Sequence, residues 1–87
     1  MIQISLPSQL KSLVPPSADL VLDGTTLRAA LRQLVERFPL LNEQIFDERG
    51  AIREFLNIFV EGEVVEDMDT SLRPGVDVQL IMAVAGG

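Results

Sequence analysis

Thr25-Thr26-Leu27-Arg28-Ala29-Ala30-Leu31-Arg32-Gln33-Leu34-Val35-Glu36-Arg37-Phe38-Pro39 carries the clearest period in the chain. Leu27, Ala30, Leu31, Leu34, Val35 and Phe38 fall at i, i+3, i+4, i+7, i+8 and i+11, which is one face of an α-helix. A threonine hydroxyl, Thr25 or Thr26, supplies the N-cap, and Pro39 stops the helix because it cannot donate an amide hydrogen. Arg28, Arg32 and Glu36 share the opposite face at i, i+4 spacing, so Arg32 and Glu36 are placed to pair. Such a pair contributes on the order of a few tenths of a kcal/mol, so this face reads as solvated.

Outward from this helix the period changes from 3.6 to 2. On the N-terminal side, Ile2, Ile4 and Leu6 alternate with Gln3 and Ser5, as in a half-buried strand. Pro7 interrupts that ladder and Pro15-Pro16-Ser17 marks a loop. A second strand follows over Ala18–Leu22, closed by Asp23-Gly24, and the two pair antiparallel across the Pro-stiffened connection. On the C-terminal side, Leu41, Ile45 and Phe46 form a short helical turn and Arg49-Gly50 a loop. Phe55–Val60 and Glu63–Val65 flank Glu61-Gly62, a hairpin turn. Met68–Leu72 is irregular, and Pro74-Gly75 suits the centre of a type II turn. The final strand, Asp77–Met82, alternates Val78, Leu80 and Met82 with Asp77, Gln79 and Ile81. The order β-β-α-β-β-β with one main helix predicts an α+β domain, its helix covering one face of a sheet.

Eighty-seven residues allow a single core, and 47% hydrophobic with 23% charged residues is the composition of a folded chain. Seven Lys+Arg against 13 Asp+Glu give a net charge of −6. Such a surface repels nucleic-acid phosphates and anionic membranes, so neither is expected as a partner. No apolar run is long enough to span a bilayer, and MIQISLPSQLK lacks the basic flank of a signal peptide, which predicts a cytoplasmic protein. The sequence holds no Cys and no His. It therefore has no thiolate, no imidazole base and no usual metal ligands, and Lys11 is its one lysine. Neither a catalytic residue nor a metal site is expected, and the chain is not read as an enzyme.

The chain closes on Ala83-Val84-Ala85-Gly86-Gly87. A carboxylate on a Gly-Gly stem has no Cβ near the reacting carbon, so it can pass down a narrow channel. Five residues reach ~17 Å when extended, enough to enter another protein's active site. A carboxylate is inert until activated, so adenylation by a partner followed by attack of sulfur would leave a thiocarboxylate. A frayed tail has the same sequence, and the bland alternative stays open at this point.

The element order, the length and this ending together resemble the ubiquitin-like β-grasp sulfur carriers, the ThiS/MoaD group. The most specific stretches are Phe55-Leu56-Asn57-Ile58-Phe59-Val60-Glu61-Gly62-Glu63-Val64-Val65 and Val78-Gln79-Leu80-Ile81-Met82-Ala83-Val84-Ala85-Gly86-Gly87. Both are most similar to the carrier of cysteine biosynthesis. Two departures stand out: Met82 occupies a position where the cysteine carrier has proline and the molybdopterin carrier usually has it, and Val76 intervenes between Gly75 and Asp77, where the family's turn usually reads Gly-Asp.

The resemblance implies a β-grasp fold with a mixed sheet over residues 1–82, followed by a tail over 83–87. It implies adenylation at Gly87 by a ubiquitin-activating-enzyme-like adenylyltransferase, with Gly86, Ala85 and Val84 recognised as the tail. It further implies conversion to a thiocarboxylate and transfer to an acceptor enzyme: a cysteine synthase, the large subunit of molybdopterin synthase, or thiazole synthase. ATP and magnesium would belong to the activating partner and pyridoxal phosphate to a cysteine-synthase acceptor, with no cofactor on this chain. Ile81, Val64 and Met82 are candidates for partner docking, the bland alternative for Ile81 and Val64 being that they complete the edge of the core. The acidic run Glu61, Glu63, Glu66, Asp67 and Asp69 could steer a basic partner, or be a solvated hairpin. Its spacing does not fit an EF-hand. A protein modifier, passing activated Gly87 to a lysine, and a plain interaction module are the rival functions.

Overall fold

Ile2 and Ile4 are buried while Gln3 and Ser5 face solvent, the alternation that a strand with one covered face requires. In the computed structural model, which describes residues 1–16 and 20–83, this strand is β1 (Ile2–Ser5). The elements that follow are α1 (Ser8–Lys11), β2 (Val21–Leu22) and α2 (Leu27–Arg37), then a 3-10 turn (Pro39–Leu41) and α3 (Asn42–Ile45). The chain continues with β3 (Leu56–Val60), β4 (Glu63–Val64) and β5 (Asp77–Met82). The five strands form one sheet in the order β2-β1-β5-β3-β4. Its central pair, β1 and β5, is parallel, and every other neighbouring pair is antiparallel, so the sheet is mixed.

The helix expected from the 3.6 period is present. Thr26 is its N-cap, the hydroxyl accepting from the Ala29 amide at 3.2 Å. The next open amides are met from a distance in sequence: Leu27 N–H donates to Thr70 C=O at 3.0 Å and Arg28 N–H to Met68 C=O at 2.8 Å. The stretch Met68–Leu72, irregular by sequence, is thus the cap of α2, because the first turn of a helix leaves amides with no partner inside it. Gly24 sits so close to this helix that a Cβ would lie 2.9 Å from the Ala30 nitrogen. Leu27, Ala30, Leu31 and Leu34 of α2 are fully buried against the inner face of the sheet, with Ile2, Ile4, Leu22, Leu56, Ile58, Val78 and Leu80. Val35 and Phe38 only border this core.

Several boundaries differ from the sequence reading. β1 stops at Ser5, not Leu6, because the chain turns away at Pro7; Leu6 is buried without being paired. The segment expected to be loop contains the one-turn helix α1, which buries Leu10. Of the strand expected over Ala18–Leu22, only Val21 and Leu22 pair with β1, and Ser17, Ala18 and Asp19 lie outside the described residues. β3 begins at Leu56 and β4 ends at Val64. The expected pair of Arg32 with Glu36 is not among the ion pairs of the described residues; Arg28 instead reaches Asp69, at 3.2 Å.

Candidate functional site

β5 is the strand that leads into the chain's last residues, and its two faces are unlike. Val78 and Leu80 are buried beneath α2, and Met82 is half-buried against the same core. Asp77, Gln79 and Ile81 lie on the opposite, outer face, exposed. The register shows what surrounds them. Ser5, Gln79, Phe59 and Val64 form one cross-strand row, and Asn57 and Ile81 form the next. Cross-strand partners share a face, so Ile81, Phe59 and Val64 together put apolar surface on the uncovered side of β5, β3 and β4. Ile81 is 44% and Val64 59% exposed. Both are therefore surface residues, while Met82 belongs to the inner side and does not join them.

Phe59 is the member that sequence reasoning missed. It sits in the run Phe55–Val60, where apolar residues on both sides hide the alternation. The signal was Asn57, the one polar residue in that run, which marks Phe59 two positions on as sharing its face. Phe55, 40% exposed, precedes β3, and its carbonyl accepts from the Ala83 amide at 2.7 Å. That bond is the last described anchor of the chain. Val84, Ala85, Gly86 and Gly87 lie outside the described residues.

The hairpin bounding this face has an unusual turn. Glu61 adopts φ +53 and Gly62 φ +86, the left-handed pair of a type I′ turn, which costs a residue with a side chain roughly 1–2 kcal/mol. Glu61 is held there by Arg73, whose Nη2 lies 2.7 Å from both carboxylate oxygens, and by its own amide donating to Asp77 C=O at 3.2 Å. The second turn, Arg73-Pro74-Gly75-Val76, has Gly75 at φ +85 and the Val76 amide donating to Arg73 C=O, as the sequence suggested.

The acidic run is not one surface. Glu61 is taken by Arg73 and Asp69 by Arg28, while the Asp67 carboxylate accepts from the Asp69 amide at 2.9 Å. Glu63 and Glu66 remain exposed: Glu66 lies beside Asn57 and Val64 of the apolar patch, while Glu63 pairs with Val60 on the other face. The Asp47 carboxylate is held below its ordinary range chiefly by the Ala51 amide, then by the Arg49 amide and the charges of Arg49 and Arg53. Asp47 closes the 47–51 turn, so its role is structural. Among the described residues no group of three or more acidic, His or Cys side chains is arranged to hold a metal, and no polar side chain is buried. No described helix is long and apolar enough to cross a membrane.

Comparison with known proteins gives this geometry a context. The model of the ThiS family matches residues 4–87. Mycobacterium tuberculosis CysO superposes with a TM-score of 0.85 at 25% identity, over 97% of this chain and 100% of that one. SAMP1 from Haloferax volcanii gives 0.82 at 25% identity, over 99% and 98%. CysO in the Amycolatopsis orientalis BexX/CysO complex gives 0.87 at 20% identity over the whole of both chains, a likeness of fold. No curated protein matches by sequence.

Proposed function

We propose, from the premise that this chain belongs to the ThiS family, that it carries sulfur on its C-terminal glycine. The fold is that of the ubiquitin-like β-grasp proteins, a family of small carriers rather than catalysts. The observation that carries the reading is that the family match runs through Gly87, so the Gly86-Gly87 pair falls inside the family pattern. In this reading a Gly87 carboxylate oxygen attacks the α-phosphorus of ATP on the activating partner, and pyrophosphate leaves. A sulfur nucleophile then attacks the acyl carbon, AMP leaves, and a thiocarboxylate remains for the acceptor. ATP and magnesium are the partner's, and any pyridoxal phosphate is the acceptor's.

The chain's own contribution is access and docking. Gly86 and Gly87 add no side chain to the stem, and Ala85 and Val84 extend its reach beyond the Ala83–Phe55 bond. Ile81, with Phe59 and Val64 in the neighbouring row, supplies the apolar contact, and Glu66 beside Val64 favours a basic rim on the partner. Met82 acts from behind, packed on the core. Cysteine biosynthesis in the cytoplasm is the pathway favoured, supported by the likeness to CysO; the molybdopterin and thiamin acceptors are the alternatives.

Intact mass of the chain after incubation with a ubiquitin-activating-type adenylyltransferase of the same organism, ATP and sulfide tests this. The expected product replaces one oxygen by sulfur at Gly87. A variant lengthened by one residue should fold and remain unloaded; its loading at the normal rate would overturn the assignment. The likeness to SAMP1, a small archaeal modifier protein, favours one second reading, transfer of Gly87 to a lysine. A stable amide-linked adduct in the same mixture would support that reading instead.

A further inference from the structure

β1 and β5 part company before β5 ends. Their pairing stops at Ser5–Gln79, yet β5 continues to Met82. The cause is Pro7, which has no amide to extend the ladder and turns the chain into α1. Between the diverging segments lies a groove of about 360 Å³, walled by Ser5–Gln9 on one side and Gln79–Met82 on the other.

The direction of the β5 backbone groups is fixed by its bonds. The Asp77 carbonyl and the Ala83 amide bond towards β3 and its turn, at 3.2 and 2.7 Å, while the Val76 carbonyl bonds towards β1 at 3.1 Å. Odd-numbered residues thus address β3 and even-numbered ones address β1. Beyond the last β1 pair, the Leu80 carbonyl and the Met82 amide therefore face the groove, where no further β1 residue pairs with them. This is a short length of open sheet edge in the interior of the strand order, not at β2 or β4.

We propose that the groove receives an extended segment of the activating partner, which adds to β5 in the place β1 vacates. The inference rests on the docking reading above and deepens it. A carbonyl and an amide with no ladder partner among the described residues are complemented by another extended backbone, which supplies a donor and an acceptor at the spacing of a ladder. The groove also adjoins Ile81, so a partner seated on the apolar outer face reaches it without leaving the surface. The added strand clamps β5 directly before the residues that enter the partner's active site.

Amide hydrogen exchange of the chain, alone and with the adenylyltransferase and ATP, tests the clamp. The expected result is at least tenfold slower exchange at Met82 in the complex. A complex that forms with Met82 exchanging as in the free chain overturns the strand addition and leaves the carrier reading intact. Failure to form any complex, with Gly87 unloaded, overturns both. Protection of Met82 that grows with concentration in the chain alone assigns the groove to a second copy and overturns the partner as occupant. Met82→Pro deletes the donor without touching the bonds to β3. It should weaken the complex about tenfold while Met82→Leu preserves it; equal affinities for both variants would also overturn the proposal.

Discussion

The two faces of the sheet hold apolar residues for different reasons. On the inner face, Leu31 and Leu34 of α2 cover Val78 and Leu80, and every apolar residue there is explained by burial. On the outer face, Ile81 and Val64 remain among Asp77, Gln79 and Asn57 with no described element above them. An isolated exposed aliphatic needs no explanation. Neighbouring rows that contribute Ile81, Phe59 and Val64 to one patch differ, because three apolar side chains share one face. The inner face thus accounts for the fold, and the outer face is the surface assigned above to the proposed partner.

The widest separation between the faces should come from Leu31→Ala. Leu31 is fully buried, so truncation removes its transfer energy and leaves a cavity, costing about 2–5 kcal/mol in urea denaturation. Ile81→Ala, on the other face, should cost less than about 1 kcal/mol, since its side chain is already half in water. Equal costs would erase the distinction. A sharper version replaces Ile81 and Val64 together by threonine, which keeps the β-branched backbone preference and removes the apolar surface. Stability should stay within about 1 kcal/mol, while affinity for the adenylyltransferase falls at least tenfold, or about 1.4 kcal/mol. Unchanged affinity would return both residues to the bland reading, an edge of the core.

How much of this was legible in the sequence follows the same division. α2 and the alternation of β5 could be read because each repeats its period long enough to be distinct from chance. α1 could not: one turn that buries only Leu10 contains no period at all. The pairing of β1 with β5 was also hidden, because it joins opposite ends of the chain and is decided by packing rather than local pattern. Ile81 was visible as the apolar residue between polar neighbours, whereas Phe59 was masked by Leu56, Ile58 and Val60 around it. The Gly-Gly ending was plain, but the chemistry attached to it came from resemblance, since no spacing of residues dictates sulfur.

The hairpin that borders the outer face is fixed by backbone rather than by core. Gly62→Ala forces a side chain into φ +86 and should cost roughly 1–2 kcal/mol, although Gly62 touches nothing that a Cβ would strike. Restoration of stability in a Gly62→Asn variant relative to alanine would identify the left-handed backbone as the cause, because asparagine tolerates that region. An alanine variant as stable as the parent would mean that the turn can relax. The outer face would then lack the rigid border that positions Val64.

The smallest effect is expected far from both faces, at Asp47. Its carboxylate accepts from the Arg49 amide at 2.8 Å and the Ala51 amide at 3.0 Å, bonds that favour the charged form and hold its pKa below the ordinary range. A folded-state pKa lower than the unfolded one means that the unfolded chain binds the proton more readily. The stabilisation is then complete above the unfolded value of about 4, and it is lost as pH falls through the lower folded value. Asp47→Asn keeps an oxygen acceptor for the turn but cannot titrate, so its stability should fall less steeply than the parent's below that pH. Parallel acid limbs would show that the Asp47 turn does not persist in solution. The two faces of the sheet should be indifferent to the outcome, since the 47–51 turn contributes neither a buried residue nor a member of the outer patch.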